Sequence, residues 1–348
     1  MTKIILGDRL KKFFLTAALA VVALSMCLYM GRLVQKVYRH HFGIPVHHAL
    51  LKADLSDLTD ATLSHYYIHS DGRNAHAVAS GLYANPPFDA NGVPMVDYGG
   101  KSGRQYNPVT ISQFALETWE LFLQIGSEEH LRTFLRQARW LLEHQENGKW
   151  YYTFDLERRS IKAPWISAMA QGQGICVLLR AHQNTGRTDY LSAARRAFEV
   201  MRLPVDQGGT SYPGNEGIWL EEYPNAPILT HVMNGHVWAL FGVWDIYRVT
   251  GSDDSLRLFS QGAAALKADL GRYDIGYWAV SDQGTNKLLN STYMDFEIDQ
   301  LTVMHALTSD PAFLACAKKW DAYRQNSRNI WPILWHHIVR RGRLLLGQ

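Results

Sequence analysis

Cysteine is scarce in this chain: Cys27, Cys176 and Cys316 are the only three in 348 residues, and none forms a C-x-x-C pair. That spacing excludes a disulfide framework and a zinc ribbon. Net charge is also small, +3 at neutral pH, which leaves no basic stripe for phosphates, so no nucleic-acid partner is expected. Common catalytic signatures are missing too. There is no G-x-S-x-G elbow, H-E-x-x-H helix, Walker loop or G-x-G-x-x-G fingerprint. The "QGQG" at 171–174 lacks a third glycine and a preceding strand, and reads as close packing where a helix begins. Adjacent histidines rarely place both rings on one ion, so the doublets His40/His41, His47/His48 and His336/His337 predict no metal site.

What is present is apolar and aromatic. Hydrophobic residues make up 47% of the chain, with 11 Trp and 17 Tyr, enough for a sizeable core and for rings that stack on sugars. Residues 13–30, "FFLTAALAVVALSMCLYM", are uncharged and nearly long enough to span a bilayer. Bulky Leu28, Tyr29 and Met30 end the run where a signal peptidase needs small residues. The expectation is a cytoplasmic segment 1–12, an uncleaved single-pass signal anchor 13–30, a stalk 31–50, and an extracytoplasmic (periplasmic or lumenal) remainder. Gly and Pro break 51–107 into short apolar runs, which reads as strands and loops. Residues 331–348, with "RRGRLLL", form a basic tail whose cations read as a solvated helix face.

From 108 to 330 one unit recurs. An amphipathic helix stops at a glycine, a polar residue follows, and a second amphipathic helix begins, as in "LLRAHQNTGRTDYLSAARRAFEVM" and "GVWDIYRVTGSDDSLRLFSQGAAALK". Gly126, Gly186 and Gly251 punctuate three such hairpins, and "HALTSDPAFLACAKKWDAYR" gives a weaker fourth. Consecutive hairpins curling into an (α/α) barrel or toroid put their long connections on one rim. The fold class expected is therefore mainly α, after a short β-containing region and a membrane helix.

Those connections hold the unusual residues. "GIWLEEYPNAP", 217–227, sets Glu221, Glu222 and Tyr223 between a tryptophan and two prolines that stiffen the loop. The shared rim predicts that they meet Trp150, Tyr151, Trp165, Trp219, Trp278 and Tyr293. Arg104, Lys149, Arg158, Arg159 and Lys162 are nearby cations; Gln171, Gln173 and Asn234, at helix starts, are hydrogen-bond donors for a ligand or caps for their own helices. The sequon at Asn290 lies too close to Tyr293 to carry a glycan without blocking the mouth, and is read as chance.

"NPVTISQFALE", "SAMAQGQG", "WLEEYPNAP" with "VMNGHVWALFGVWDIY", and "TYMDFEIDQL" occur in that order. In this the chain resembles the C-terminal catalytic region of the D-glucuronyl C5-epimerases, over roughly residues 90 to 325. The resemblance implies an (α/α) barrel preceded by β structure and inversion of C5 of glucuronate residues in a heparan-type polymer, an EC 5.1.3 type isomerase. It assigns catalytic roles to Glu222, Tyr223 and Tyr293. A second catalytic tyrosine of the animal enzymes aligns with Ser281 here, a departure that Tyr277 is placed to compensate.

Such chemistry removes a carbon-bound proton and returns one on the opposite face. It needs a base, an acid and donors around a carboxylate that becomes a dianion. Mutual repulsion of Glu221 and Glu222 is expected to raise one pKa. No hydride moves, so no cofactor is implied. The partner expected is a uronic-acid-containing polysaccharide; a homodimer is left open. Rival readings are a polysaccharide lyase, a glycoside hydrolase pairing Glu222 with Asp295 or Glu297, and an inactive membrane-anchored glycan-binding scaffold.

Overall fold

The computed structural model describes residues 2–43, 51–70 and 87–345. The first element, α1 (Thr2–Phe42), carries exposed apolar side chains such as Phe14, Leu19, Leu24 and Leu28 through its middle. It is long and apolar enough to cross a membrane, as an anchor or as a signal sequence. The stalk expected at 31–50 departs from this: the helix continues unbroken to Phe42, and residues 44–50 lie outside the described residues. Val37 is buried, Leu33, Val34 and Phe42 pack on the core, and the Phe42 ring lies 5.2 Å from that of Trp278. His41 donates from Nδ1 to the Leu289 carbonyl at 2.8 Å, and Arg324 donates to the Gly43 carbonyl at 3.0 Å. A helix end with apolar residues facing one way buries them rather than hanging free.

Two short antiparallel pairs follow, β1 (Leu51–Ala53) with β2 (Ile68–Ser70) and β3 (Met95–Asp97) with β4 (Arg104–Tyr106). Then come four helical hairpins: α2 (Pro108–Ile125) with α3 (Glu128–Glu143), α4 (Ala168–Thr185) with α5 (Thr188–Arg202), α6 (Met233–Thr250) with α7 (Asp253–Tyr273), and α8 (Ser291–Thr308) with α9 (Pro311–Gln325). Strands β5 (Ser211–Pro213) and β6 (Ile218–Leu220) form a hairpin between α5 and α6. The chain closes with α10 (Ile330–Leu345), which packs on α1. The expected basic tail is thus a docked helix with Ile333 and Leu334 buried.

Local chemistry explains the hairpins. Asn107 caps α2 through Oδ1, with Pro108 pre-set at the first helical position. The first three hairpins turn on Gly126, Gly186 and Gly251, each with positive φ. The fourth turns on Ser309 at φ 57°, a conformation unfavourable for a side-chain-bearing residue, which is why its sequence signal is weaker.

Helices α2, α4, α6 and α8 are neighbours in chain order, while α3, α5, α7 and α9 cover them outside. β2 lies against α2 and β1 against α8, so the β1–β2 hairpin stands between the first and last inner helices. The inner helices run parallel, and their N-termini share one end. The glycines of "QGQG" are packing residues: a Cβ on Gly172 would come within 2.5 Å of Ala239 Cα on α6, and one on Gly174 within 2.6 Å of the Trp150 indole.

Candidate active site

The N-terminal ends of α2, α4, α6 and α8 open on a cavity of about 310 Å³, within the usual range for ligand pockets. Helix N-termini carry partial positive charge, so the helices aim a favourable field at an anion. Val109 and Gln113 line it from α2, Met169 and Gln173 from α4, Asn234 and Trp238 from α6, and Tyr293 and Phe296 from α8. Connecting loops add Tyr98, Tyr152, Arg158, Trp165, Glu222 and Tyr223. A second cavity of about 440 Å³ shares Arg158, Glu222, Tyr223, Asn234 and Tyr293 and continues past Arg159, Ser281, Lys287 and Arg340. Glu222 and Tyr293, far apart in sequence, therefore face one continuous cleft.

The two adjacent glutamates diverge for a simple reason. Glu221 follows directly on β6 and keeps backbone hydrogen bonds on both sides, whereas the chain bends at Glu222, so the two side chains leave in different directions. Glu221 turns inward, buried, onto His231 Nδ1, while its backbone bonds Thr210 and Ala168 at 2.9 and 3.0 Å. Glu222 turns to the cleft. Burial pushes its carboxyl above the usual range, against a hydrogen bond from Tyr223 and the charges of Arg159 and Arg158; the Glu221 charge adds least. The expected mutual repulsion exists, but desolvation leads.

Gly235 in the first turn of α6 makes room for that carboxylate. A Cβ at this position would meet the Glu222 carboxyl group, with Glu222 Cβ at 2.8 Å and Cδ at 2.9 Å. The loop is fixed from both sides. The Tyr223 ring is tilted against Trp165 at 5.9 Å and lies under the Arg159 guanidinium at 5.0 Å. Arg159 bonds Asp282 at 3.1 Å and Thr230 at 3.2 Å. Tyr293, capped by Asn290, is 48% exposed. Desolvation and the Glu222 charge hold its phenol above the ordinary range, so it stays protonated at neutral pH.

Several expected site residues lie elsewhere. Trp219 is buried and stacks at 4.0 Å on His236, whose Nδ1 accepts from Leu220 and whose Nε2 donates to Gly262. Burial brings that imidazole down to about 4, so it is a neutral structural ring. Trp278 is buried and donates to Leu289; Trp150 is buried and donates to Leu141. Gln171 holds the turn before α4, accepting from Trp150 N and donating to Gly148. Arg104 is exposed and pairs in register with Asp97 on β3. Tyr277 does not line the cleft; its hydroxyl lies 3.4 Å from His336. Asp295 bonds Arg324 at 2.9 Å. Glu297 is buried beside Asn234, raised well above the carboxylate range by desolvation. Neither lines the cleft opposite Glu222 as the hydrolase reading requires.

The reading of Tyr151 errs by one residue. Tyr152 lines the cavity, stacked on Trp165 at 3.8 Å, while Tyr151 is not among the residues that line it. Strand alternation decides which of two adjacent tyrosines points inward, and "WYYTF" does not reveal its phase. Tyr98 is also new to the site: its hydroxyl accepts from Asn107 Nδ2 at 2.8 Å, and Tyr152 donates to Asn107 Oδ1 at 3.1 Å. Gln173 is where a donor was expected, wholly buried, with neither amide atom partnered.

Residues 144–322 match the family model described as the D-glucuronyl C5-epimerase C-terminus. A D-glucuronyl C5-epimerase of Caenorhabditis elegans is 30% identical over 58% of this chain and 36% of its own, so the chain spans about a third of that relative. An uncharacterized protein of Methanocaldococcus jannaschii is 29% identical over 68% of this chain and 86% of its own. A solved structure described as a UGL variant with dGlcA-Glc-Rha-Glc superposes with a TM-score of 0.45 at 17% identity, covering 62% of this chain and 61% of that one. With half of its length matched by the family model, and with the Glu222 loop inside that half, the chain belongs to the D-glucuronyl C5-epimerase family.

Proposed function

We propose that this protein inverts C5 of glucuronate residues within a polysaccharide, on a toroid of helical hairpins held beside a membrane by α1, with the cleft on the extracytoplasmic side. The observation that carries the reading is the placement of Glu222 and Tyr293 on one cleft, under four helix N-termini.

Glu222, as carboxylate, takes the proton from C5, and the electron pair passes into the adjacent uronate carboxylate. Tyr293 then delivers its phenolic proton to the opposite face of C5, giving iduronate. Tyr223, hydrogen-bonded to Glu222, relays protons between the spent acid and base through bound water. Arg158 and the amide of Gln173 meet the carboxylate that becomes dianionic, each such donor worth about 3 kcal/mol of barrier. Trp165 and Tyr152 provide the aromatic wall. The run of cations Arg158, Arg159, Lys287 and Arg340 along the second cavity suits further acidic residues of a polymer.

The test is incubation of the detergent-solubilised chain with heparosan and other glucuronate polymers in deuterated water. Deuterium at C5 without chain cleavage is the expected result. Absorbance from a new C4=C5 double bond would make it a lyase, and binding without exchange would make it a scaffold.

A further inference from the structure

Beside the β1–β2 hairpin, among residues that do not themselves line the cleft, two histidines and two carboxylates meet. His65 and His69 stack with ring centroids 5.3 Å apart and planes 21° apart. Glu120 on α2, wholly buried, lies behind both rings: its Oε2 is 2.8 Å from His65 Nδ1 and 3.5 Å from His69 Nδ1. Asp54 lies on the opposite edge, its Oδ2 2.8 Å from His69 Nε2. Asp54, His65 and His69 each offer a ligand atom, all within 4.8 Å of one another.

We propose that Asp54, His65 and His69 form a binding site for a zinc-class divalent cation, with Glu120 as the carboxylate that orients both imidazoles. A ligating histidine characteristically donates its other ring N–H to a carboxylate, which fixes the tautomer and turns the remaining nitrogen to the metal. Glu120 holds that place for His65 through a hydrogen bond and lies within ion-pair reach of His69 Nδ1. With metal bonds of about 2.0–2.1 Å, neighbouring ligand atoms lie about 3.3 Å apart, so small movements complete the set. Two imidazoles and one carboxylate suit zinc and its neighbours better than calcium or magnesium. His65, 35% exposed at its side chain, leaves an entry path and an open coordination position.

The site staples the hairpin standing between α8 and α2. The same hairpin presents Tyr66 and Ile68 to the cavity, so occupancy fixes the cavity floor without touching Glu222 or Tyr293.

Untagged full-length protein in detergent, stripped with chelator, is titrated with Zn²⁺ and separately with Co²⁺, with bound metal counted by mass spectrometry after dialysis. One equivalent of Zn²⁺ per chain, a melting midpoint raised by several degrees and visible Co²⁺ d–d bands are expected. The pair H65Q/H69Q should lose the bands and weaken binding at least tenfold. Glu120→Gln should weaken it about 10- to 100-fold while keeping stoichiometry. His336→Gln with His337→Gln should leave binding unchanged, because His41 and His337 nitrogens 2.9 Å apart at the α1–α10 contact are the other place an ion would lodge. If H65Q/H69Q fails to fold, Asp54→Asn replaces it, and loss of the bands supports the site equally. Less than about a tenth of an equivalent in the wild type, or binding lost with the His336/His337 pair and kept in H65Q/H69Q, overturns the proposal.

Discussion

The two ends of the inner helices hold charge in opposite ways. Toward the C-terminal ends of α4 and α6, Arg180 and Asp245 are wholly buried and bonded at 2.7 Å, with Tyr67 donating to the same aspartate at 2.5 Å. Arg180 also donates to the carbonyls of Cys176 and His65, and Arg248 to Asp57 and to the carbonyl of Asp60. Positive and negative groups are matched there. At the N-terminal ends, Gln173 has no partner for its amide, Glu222 and Glu297 are raised by desolvation, and Tyr293 keeps a protonated phenol facing solvent. One end satisfies its polar groups; the other holds them ready for something else. That asymmetry agrees with the proposed site, because unsatisfied buried polar groups cost stability and persist where a ligand completes them.

The contrast can be tested from the largest expected effect down. Glu222→Gln should cut C5 deuterium exchange by about 10²- to 10⁴-fold with the fold intact; exchange within threefold of wild type would remove the base. Asp245→Asn, at the matched end, should cost about 3–5 kcal/mol in denaturant unfolding because it strands Arg180, yet leave per-molecule exchange of the folded fraction unchanged. Equal loss of activity there would erase the distinction between the ends. Gly235→Ala should lower exchange by about tenfold to a hundredfold by displacing the Glu222 carboxylate, with kcat falling more than KM rises.

Glu297→Gln bears on pH. The folded-state carboxyl is raised above its unfolded value, so the unfolded chain releases the proton first and stability falls as pH climbs from the ordinary glutamate range toward the folded value. The amide variant removes that loss, and its advantage in melting temperature should grow with pH; a pH-independent difference would refute the assignment. By the same sign, exchange should rise with pH as Glu222 ionises. Smallest of all, Tyr277→Phe should change exchange less than twofold, where Tyr293→Phe removes a proton donor.

Much of the fold was legible because helical hairpins announce themselves through local chemistry: glycines at 126, 186 and 251 between paired helices, and apolar residues at helical spacing. The meeting of the long connections at one cavity followed, since connections between hairpins converge on one end. Which side chains of those connections face inward was not legible. Trp219, Trp278 and Trp150 look like sugar platforms in sequence and are core in space, because a large ring in a connection between hairpins serves either purpose. Tyr151 and Tyr152 differ only in strand phase. The docking of α1 and the placing of Tyr98 depend on contacts between segments far apart in the chain, for which no local pattern exists.

The amino-acid order by itself determined the apolar N-terminal helix, the beat of helix pairs and the acidic loop with its tyrosine, since each depends on near-neighbour sterics and hydrophobic spacing. Only the tertiary structure decided that Glu222 and not Glu221 enters the cleft, that Gly235 gives it room, and that Tyr293 shares the cleft while Tyr277 does not. Those outcomes rest on which distant surfaces pack together, and packing is settled by the whole chain at once.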